Sequence, residues 1–329
     1  MNRFGAMTGR NYRLFEYDGD PEAEHVVIVM GSGAETVRTT MQHLRAAGEK
    51  VGMVQVRLFH PFSPAHLLAA LPPQVRRIAV IEKTKEPGAV GEPLYLETVA
   101  TLADAFSRGE RTSLPLVIGG RFGLSSKDFN PAMARAVFDA LKADKPQKSF
   151  SVGINDDVTH RSLPVDTNFV LEPPGVTQAV FYGLGADGTV GANKNSVKII
   201  AEETGRYAQG YFVYDSHKSG AQTVSHLRFG PDPIHAPYLI ERAGFVACHQ
   251  FSFLLRQNVL DIAAPGAIFL LNAPYPADEV WDHLPRSVQE TIIARKLRFF
   301  AIDASAVARK VGARAAYQHR SSDLFFRAF

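Results

Sequence analysis

With 329 residues, 46% of them hydrophobic and 21% charged, the chain has the make-up of a folded α/β protein and length for two cores at roughly 150 residues per domain. A net charge of +3, from 36 basic and 33 acidic side chains, is too small to point to nucleic acid or a membrane surface. The single cysteine, Cys248, excludes an internal disulfide and any cysteine-rich zinc or iron–sulfur ligand set in this chain. Met1 to Asp20 lacks the apolar core of a signal peptide, and no window approaches the ~20 apolar residues of a spanning helix. The expectation is a cytoplasmic chain with no membrane partner.

The first half alternates strands and helices. Val26 to Met30 is a continuous apolar run, the mark of a parallel strand covered on both faces. Gly31-Ser32-Gly33 turns it into a helix from Ala34, with Val37, Met41 and Leu44 on one face and Gly48 as the stop. Val51 to Leu58, Arg77 to Glu82 and Leu114 to Gly119 predict further strands; Pro64 to Leu71, Leu94 to Phe106 and Pro131 to Leu141 predict helices. The expected fold class is therefore α/β, with mainly parallel sheets carrying helices on their faces. Ligands of such sheets bind at the carboxyl ends of the strands, where Gly31-Ser32-Gly33 and Lys83 to Gly88 lie; tight and polar surface turns are the plainer readings of both.

Asp144 to Ser149 is a polar, proline-bearing linker, and Phe150 to Pro174 has few periodic apolar positions. Beyond it the alternation resumes. Strands are expected from Thr177 to Tyr182, Tyr211 to Tyr214, Phe245 to Cys248, Ala267 to Asn272 and Arg298 to Ile302. Helices are expected from Ala192, through Leu254 to Val259, and from Val288 to Lys296. Cys248, at the end of an apolar strand, reads as an inert small hydrophobe.

The most informative stretch is Gly183 to Ile200, followed by Tyr211 to Gly220. A strand enters a glycine-dense loop that opens into a helix, so backbone N–H groups and the positive helix end face a prospective ligand. Lys194, Lys198 and Lys218 add charge nearby, and the chemistry suits phosphate or pyrophosphate. Gly183, Gly185 and Gly188 also spell the dinucleotide pattern Gly-x-Gly-x-x-Gly. An acidic residue for ribose is expected about 20 residues on; Glu202 and Glu203 come too early and inside the helix, whereas Asp215 ends the next strand. An NAD-binding dehydrogenase domain and a glycine-rich turn without ligand both stay open at this point. Asp187 reads as a residue that holds the turn with its own side chain. His226, His235 and His249 lack metal-ligand spacing and read as satisfied or exposed histidines. Arg228 sits in an alternating segment that suits a cross-strand role as well as a phosphate contact.

These residues carry a resemblance. Gly183 to Ile200, Tyr211 to Gly220 and Ser225 to Pro231 resemble the gamma-type domain of pyruvate:ferredoxin (flavodoxin) oxidoreductases. Val56 to Phe62 and Glu82 to Gly88 resemble the domain preceding it in single-chain members, and the likeness runs from about Tyr12 to Val311. It implies two successive α/β domains, residues 1–148 transketolase C-terminal-like and residues 149–329 gamma-type and coenzyme A-handling. By position, Gly185, Ala186, Asp187, Gly188, Thr189 and Val190 would cradle the coenzyme A phosphates and Lys218 would pair with one of them. The family usually has two lysines before the Ser-Gly; here the first is His217.

Complete enzymes of the family oxidatively decarboxylate a 2-oxo acid such as pyruvate on thiamine diphosphate. They pass electrons through [4Fe–4S] clusters to ferredoxin or flavodoxin and the acyl group to coenzyme A. Neither the thiamine site nor cluster ligands find a match here. The resemblance thus implies a chain with no catalytic or metal-binding residue of its own, inactive alone and partnered by the remaining domains or subunits of a homodimeric enzyme. A non-catalytic assembly module is the other alternative. Past Val311 the family pattern is lost, although Phe325-Phe326 returns.

Overall fold

Long apolar runs become central strands because helices cover both of their faces, as the computed structural model shows for residues 2–156, 158–172, 174–215, 221–304, 306 and 307. The chain divides into two compact units: one runs to Leu171 and includes His235–Tyr238, and the other comprises Glu172–Ile234 and the chain from Leu239. The first unit contains α1 (Asn2–Thr8), β1 (Phe15–Gly19), β2 (His25–Met30), α2 (Gly33–Ala46), β3 (Val51–Val56) and α3 (Pro64–Ala70). It continues with β4 (Arg77–Glu82), α4 (Pro93–Ser107), β5 (Leu116–Arg121), α5 (Pro131–Lys142) and β6 (Ser149–Ser151). Its sheet has the order β1-β3-β2-β4-β5-β6, antiparallel at β1–β3 and parallel elsewhere.

Alternation of side chains sorts this unit into two cores. Val27, Val29, Met53 and Ile81 face α2 and α5, while Ile28, Val54, Ile78 and Val80 face α3 and α4. Leu163 and Val165, beyond β6, pack against the α2–α5 core. Gly31 adopts φ 70, and a Cβ on Gly33 would lie 2.6 Å from the Phe122 ring, so Gly31-Ser32-Gly33 is a tight turn closed by an aromatic side chain. Lys83 to Gly88 is exposed apart from the half-buried Thr84. Glu82, at the start of that loop, is buried and accepts the N–H groups of Leu94 and Tyr95 at 2.8 and 3.0 Å. Burial pushes its carboxyl above the ordinary range, with those two bonds opposing.

The second unit contains β7 (Thr177–Leu184), α6 (Thr189–Thr204), β8 (Tyr207–Tyr214), β9 (Gln222–Gly230), β10 (Ala243–Cys248) and β11 (Ala263–Asn272). α7 (Val280–His283), α8 (Arg286–Ala294) and β12 (Arg298–Ile302) follow. The sheet order is β12-β11-β10-β7-β9-β8; β9 is antiparallel to both neighbours and the other pairs are parallel. α6 covers the face bearing Phe181, Leu227 and Phe245, and α7 and α8 cover the face bearing Val180, Val246 and Phe269.

The helix expected from Leu254 to Val259 is instead a short 3-10 turn, Phe251–Leu255. Leu254 and Val259 reach the core from successive tight turns, with Gln257 N–H bonded to Phe253 O and Val259 N–H to Gln257 O. α6 begins at Thr189, three residues before the expected start, and runs through Glu202 and Glu203. No helix among the described residues is long and apolar enough to cross a membrane.

Candidate functional site

In the second unit the chain leaves β7 for β8 and β9 on one side, and later places β10, β11 and β12 on the other. The carboxyl ends of β7 and β10 therefore flank a switch point, the position where open α/β sheets hold ligands. Residues 185–188 emerge from β7 there and lead straight into α6.

Asp187 builds the loop. One carboxylate oxygen accepts the Leu184 N–H at 2.7 Å and the other accepts the Thr189 N–H at 2.9 Å, so the side chain holds the turn as its position implies. Gly188 is the residue before the helix and adopts φ 80, left-handed backbone that glycine enters without strain. Gly185 N–H bonds to Ala221 O at 2.9 Å, which ties the loop to the start of β9. Gly183 lies inside β7, opposite Thr223, where a Cβ would stand 2.4 Å from Thr189 Oγ1.

Gly185 and Ala186 are exposed, Asp187, Gly188 and Val190 half-buried, and Thr189 buried. Thr189 and Val190 are thus the first residues of the helix rather than part of the loop. The N–H groups of Ala186, Gly188, Val190 and Gly191 meet no acceptor among the described residues. Four donors and a 16-residue helix start together make a cradle able to hold an anion. Lys194 and Lys198 are exposed on α6, the first over the Phe212 ring at 5.5 Å and the second 3.9 Å from Glu202. Lys218 and His217 lie outside the described residues; Ala221, bonded to Gly185, is three positions beyond Lys218.

Beneath the cradle is a residue that sequence reasoning did not select. His249 follows β10, and its Nδ1 lies 2.8 Å from Thr189 Oγ1. Its Nε2 has no hydrogen-bond partner among the described residues, and the same holds for Asn193 Nδ2, Thr223 Oγ1 and Ser225 Oγ, all buried. Burial drives the His249 pKa below the ordinary histidine value, and the Asp187 charge acts against that shift, so the ring is neutral at pH 7. The signal available in sequence was its place directly after a parallel strand; the strand order that sets it beside β7 was not readable.

The other candidates take structural roles. His226 Nδ1 accepts the Ile240 N–H at 3.1 Å, and His235 is exposed. Arg228 donates to Gln209 Oε1 across β8–β9 at 3.2 Å, a cross-strand contact. Cys248 is fully buried, its Sγ bonded to Gln250 O, and burial pushes its thiol up to about 12.

Residues 178–320 match the family described as pyruvate ferredoxin/flavodoxin oxidoreductase, and residues 23–122 match pyruvate:ferredoxin oxidoreductase core domain II. Pyruvate-flavodoxin oxidoreductase of Rhodospirillum rubrum is 59% identical over 314 residues, covering 95% of this chain and 26% of that protein. Pyruvate:ferredoxin oxidoreductase of Moorella thermoacetica is 51% identical over 312 residues, again 95% of this chain and 26% of the relative. The chain thus spans about a quarter of the length of the curated relatives it matches. Among solved structures, the gamma subunit of a keto/oxoacid ferredoxin oxidoreductase from Geobacter sulfurreducens aligns with TM-score 0.31 and 15% identity, over 43% of this chain and 67% of that one.

Proposed function

The chain belongs to the pyruvate ferredoxin/flavodoxin oxidoreductase family, and from that membership we propose that its second unit is the coenzyme A-handling part of such an enzyme. The observation that carries the reading is the set of N–H groups on Ala186, Gly188, Val190 and Gly191 that meet no acceptor among the described residues, at a switch point of the sheet. Residues 185–190 hold the phosphates of coenzyme A through backbone donors, and Lys218 adds a charge-assisted contact. Their work is to place the thiol against an acyl intermediate formed elsewhere, so this chain supplies position rather than bond-making. Thiamine diphosphate, which stabilises that intermediate, and the [4Fe–4S] clusters belong to the remaining parts of the enzyme; a cluster held by four thiolates needs more cysteines than the one present. Ferredoxin or flavodoxin receives the electrons, and the complete enzyme is a cytoplasmic homodimer in which this chain alone does not turn over pyruvate.

The alternative, NAD binding at the same loop, is disfavoured by the strand order. In a dinucleotide fold the acidic residue for ribose follows the strand adjacent to the glycine loop. Here Asp215 follows β8, and β9 stands between β8 and β7, a separation of about 9–10 Å at ordinary strand spacing. Calorimetric titration at low salt tests the choice: saturable binding of coenzyme A and none of NAD is expected. Lys218→Ala weakens coenzyme A by about 2 kcal/mol, roughly thirtyfold. Equal affinity in this variant would remove Lys218 from the site, and binding of NAD alone would overturn the assignment.

A further inference from the structure

We propose that His249 is a positioning residue: its hydrogen bond to Thr189 Oγ1 locks the first turn of α6 and so aims the N–H groups of Gly188, Val190 and Gly191 at the incoming phosphate. The inference rests on the reading of the loop as a coenzyme A site, and its test keeps the two apart.

His249 is itself fixed from the backbone. Its N–H donates to Tyr182 O at 2.9 Å, extending the β10–β7 ladder by one residue, and its carbonyl accepts from Asn272 Nδ2 at 3.1 Å. The imidazole therefore leaves the sheet from a set place on the α6 face, opposite in direction to Cys248. Thr189, which it meets, is held at two further points. Its N–H is taken by Asp187, and its side chain lies against Gly183, where not even a Cβ has room. The carboxyl ends of two neighbouring strands, β7 and β10, thus converge on the one residue that opens the helix.

Nε2, which has no partner among the described residues, speaks for a role beyond stability. His249 is 8% exposed, and a buried nitrogen without a partner is a standing cost to the fold that an apolar side chain of similar shape would avoid. No group of three or more His, Cys, Asp or Glu among the described residues forms a metal set that would account for it. Its neutral ring brings no charge to the phosphate, so its contribution is geometric, carried by the Thr189 hydroxyl. Sixty residues separate the two in sequence, which makes the contact a product of the fold and not of local capping.

A hydroxyl swap in the full chain provides the test. Thr189→Val keeps the shape and removes the bond; Thr189→Ser keeps the bond; His249→Phe removes the ring nitrogens, and His249→Asn returns a polar atom near the Nδ1 position. Two readouts are taken: amide hydrogen exchange of Ala192, whose N–H closes the first helical bond to Gly188 O, and coenzyme A affinity by calorimetry. Thr189→Val and His249→Phe are expected to speed Ala192 exchange and raise the coenzyme A Kd, each about tenfold, with the double variant no worse than either single one. Thr189→Ser and His249→Asn are expected to restore both. Unchanged exchange and affinity in Thr189→Val, or losses that add in the double variant, would overturn the proposal. Faster Ala192 exchange in Thr189→Val and His249→Phe, with a wild-type chain that binds no coenzyme A, would sustain the lock and overturn the coenzyme reading instead.

Discussion

Gly183→Val is expected to destabilise the second unit by roughly 3 kcal/mol, at the top of the usual range for overpacking, and to abolish coenzyme A binding. The glycine is not there for backbone freedom, since it sits within β7 paired with Thr223. Close approach is the reason: a Cβ would lie 2.4 Å from Thr189 Oγ1, 2.7 Å from its Cβ and 2.9 Å from its Cγ2. A valine adds two further carbons to a space already too small for one. The displaced Thr189 would lose both the Asp187 and the His249 bonds, so the helix start and the loop fail together. Gly191→Ala is the control, because nothing lies within 4 Å of its Cβ and the position is helical; it should gain up to ~1 kcal/mol. Thermal melting with coenzyme A titration checks both. A Gly183→Val chain that melts and binds like wild type would show that the β7–α6 junction is looser than these distances state.

What the sequence made legible follows burial. β2 and β4 were readable because strands covered on both faces must be apolar throughout, and their central residues are fully buried. The role of Asp187 was readable because glycine-rich backbone leaves donors that a short carboxylate satisfies locally. The sequence reading lacks β1: Phe15-Glu16-Tyr17-Asp18-Gly19 is a five-residue edge strand with only Phe15 buried, and its apolar–charged alternation spans too few residues to mark a strand on its own. α6 starts before its apolar pattern shows because its first turns bury the polar Thr189, Asn193 and Ser196, with Ala192 the one apolar side chain among them. His249 was passed over for a related reason. A lone histidine after an apolar strand has no pattern of its own, and its partner becomes visible only when β10 lies down beside β7. Lys218, the basic residue given most weight in sequence, falls outside the described residues, and its place rests on the family likeness.

Acid is expected to unfold the second unit through His226. Burial, followed by the Arg228 charge, lowers its pKa from 6.5 to about 4. The bond explains why the neutral ring is required: Nδ1 accepts the Ile240 N–H, so a proton on that nitrogen would set donor against donor in a buried position. The folded pKa lies below the unfolded one, so the stabilisation is complete above pH 6.5 and is lost as pH falls towards 4, where the unfolded chain binds a proton that the folded chain refuses. At 1.36 kcal/mol per unit the loss between pH 7.5 and 4 amounts to about 3 kcal/mol. His226→Asn keeps an acceptor for Ile240 N–H but does not titrate. Denaturant unfolding at the two pH values should therefore show a loss in wild type larger by that amount than in the variant, with the variant less stable or equal at pH 7.5. Equal losses would assign the acid sensitivity to other groups, His249 first among them, since its burial shifts it in the same direction.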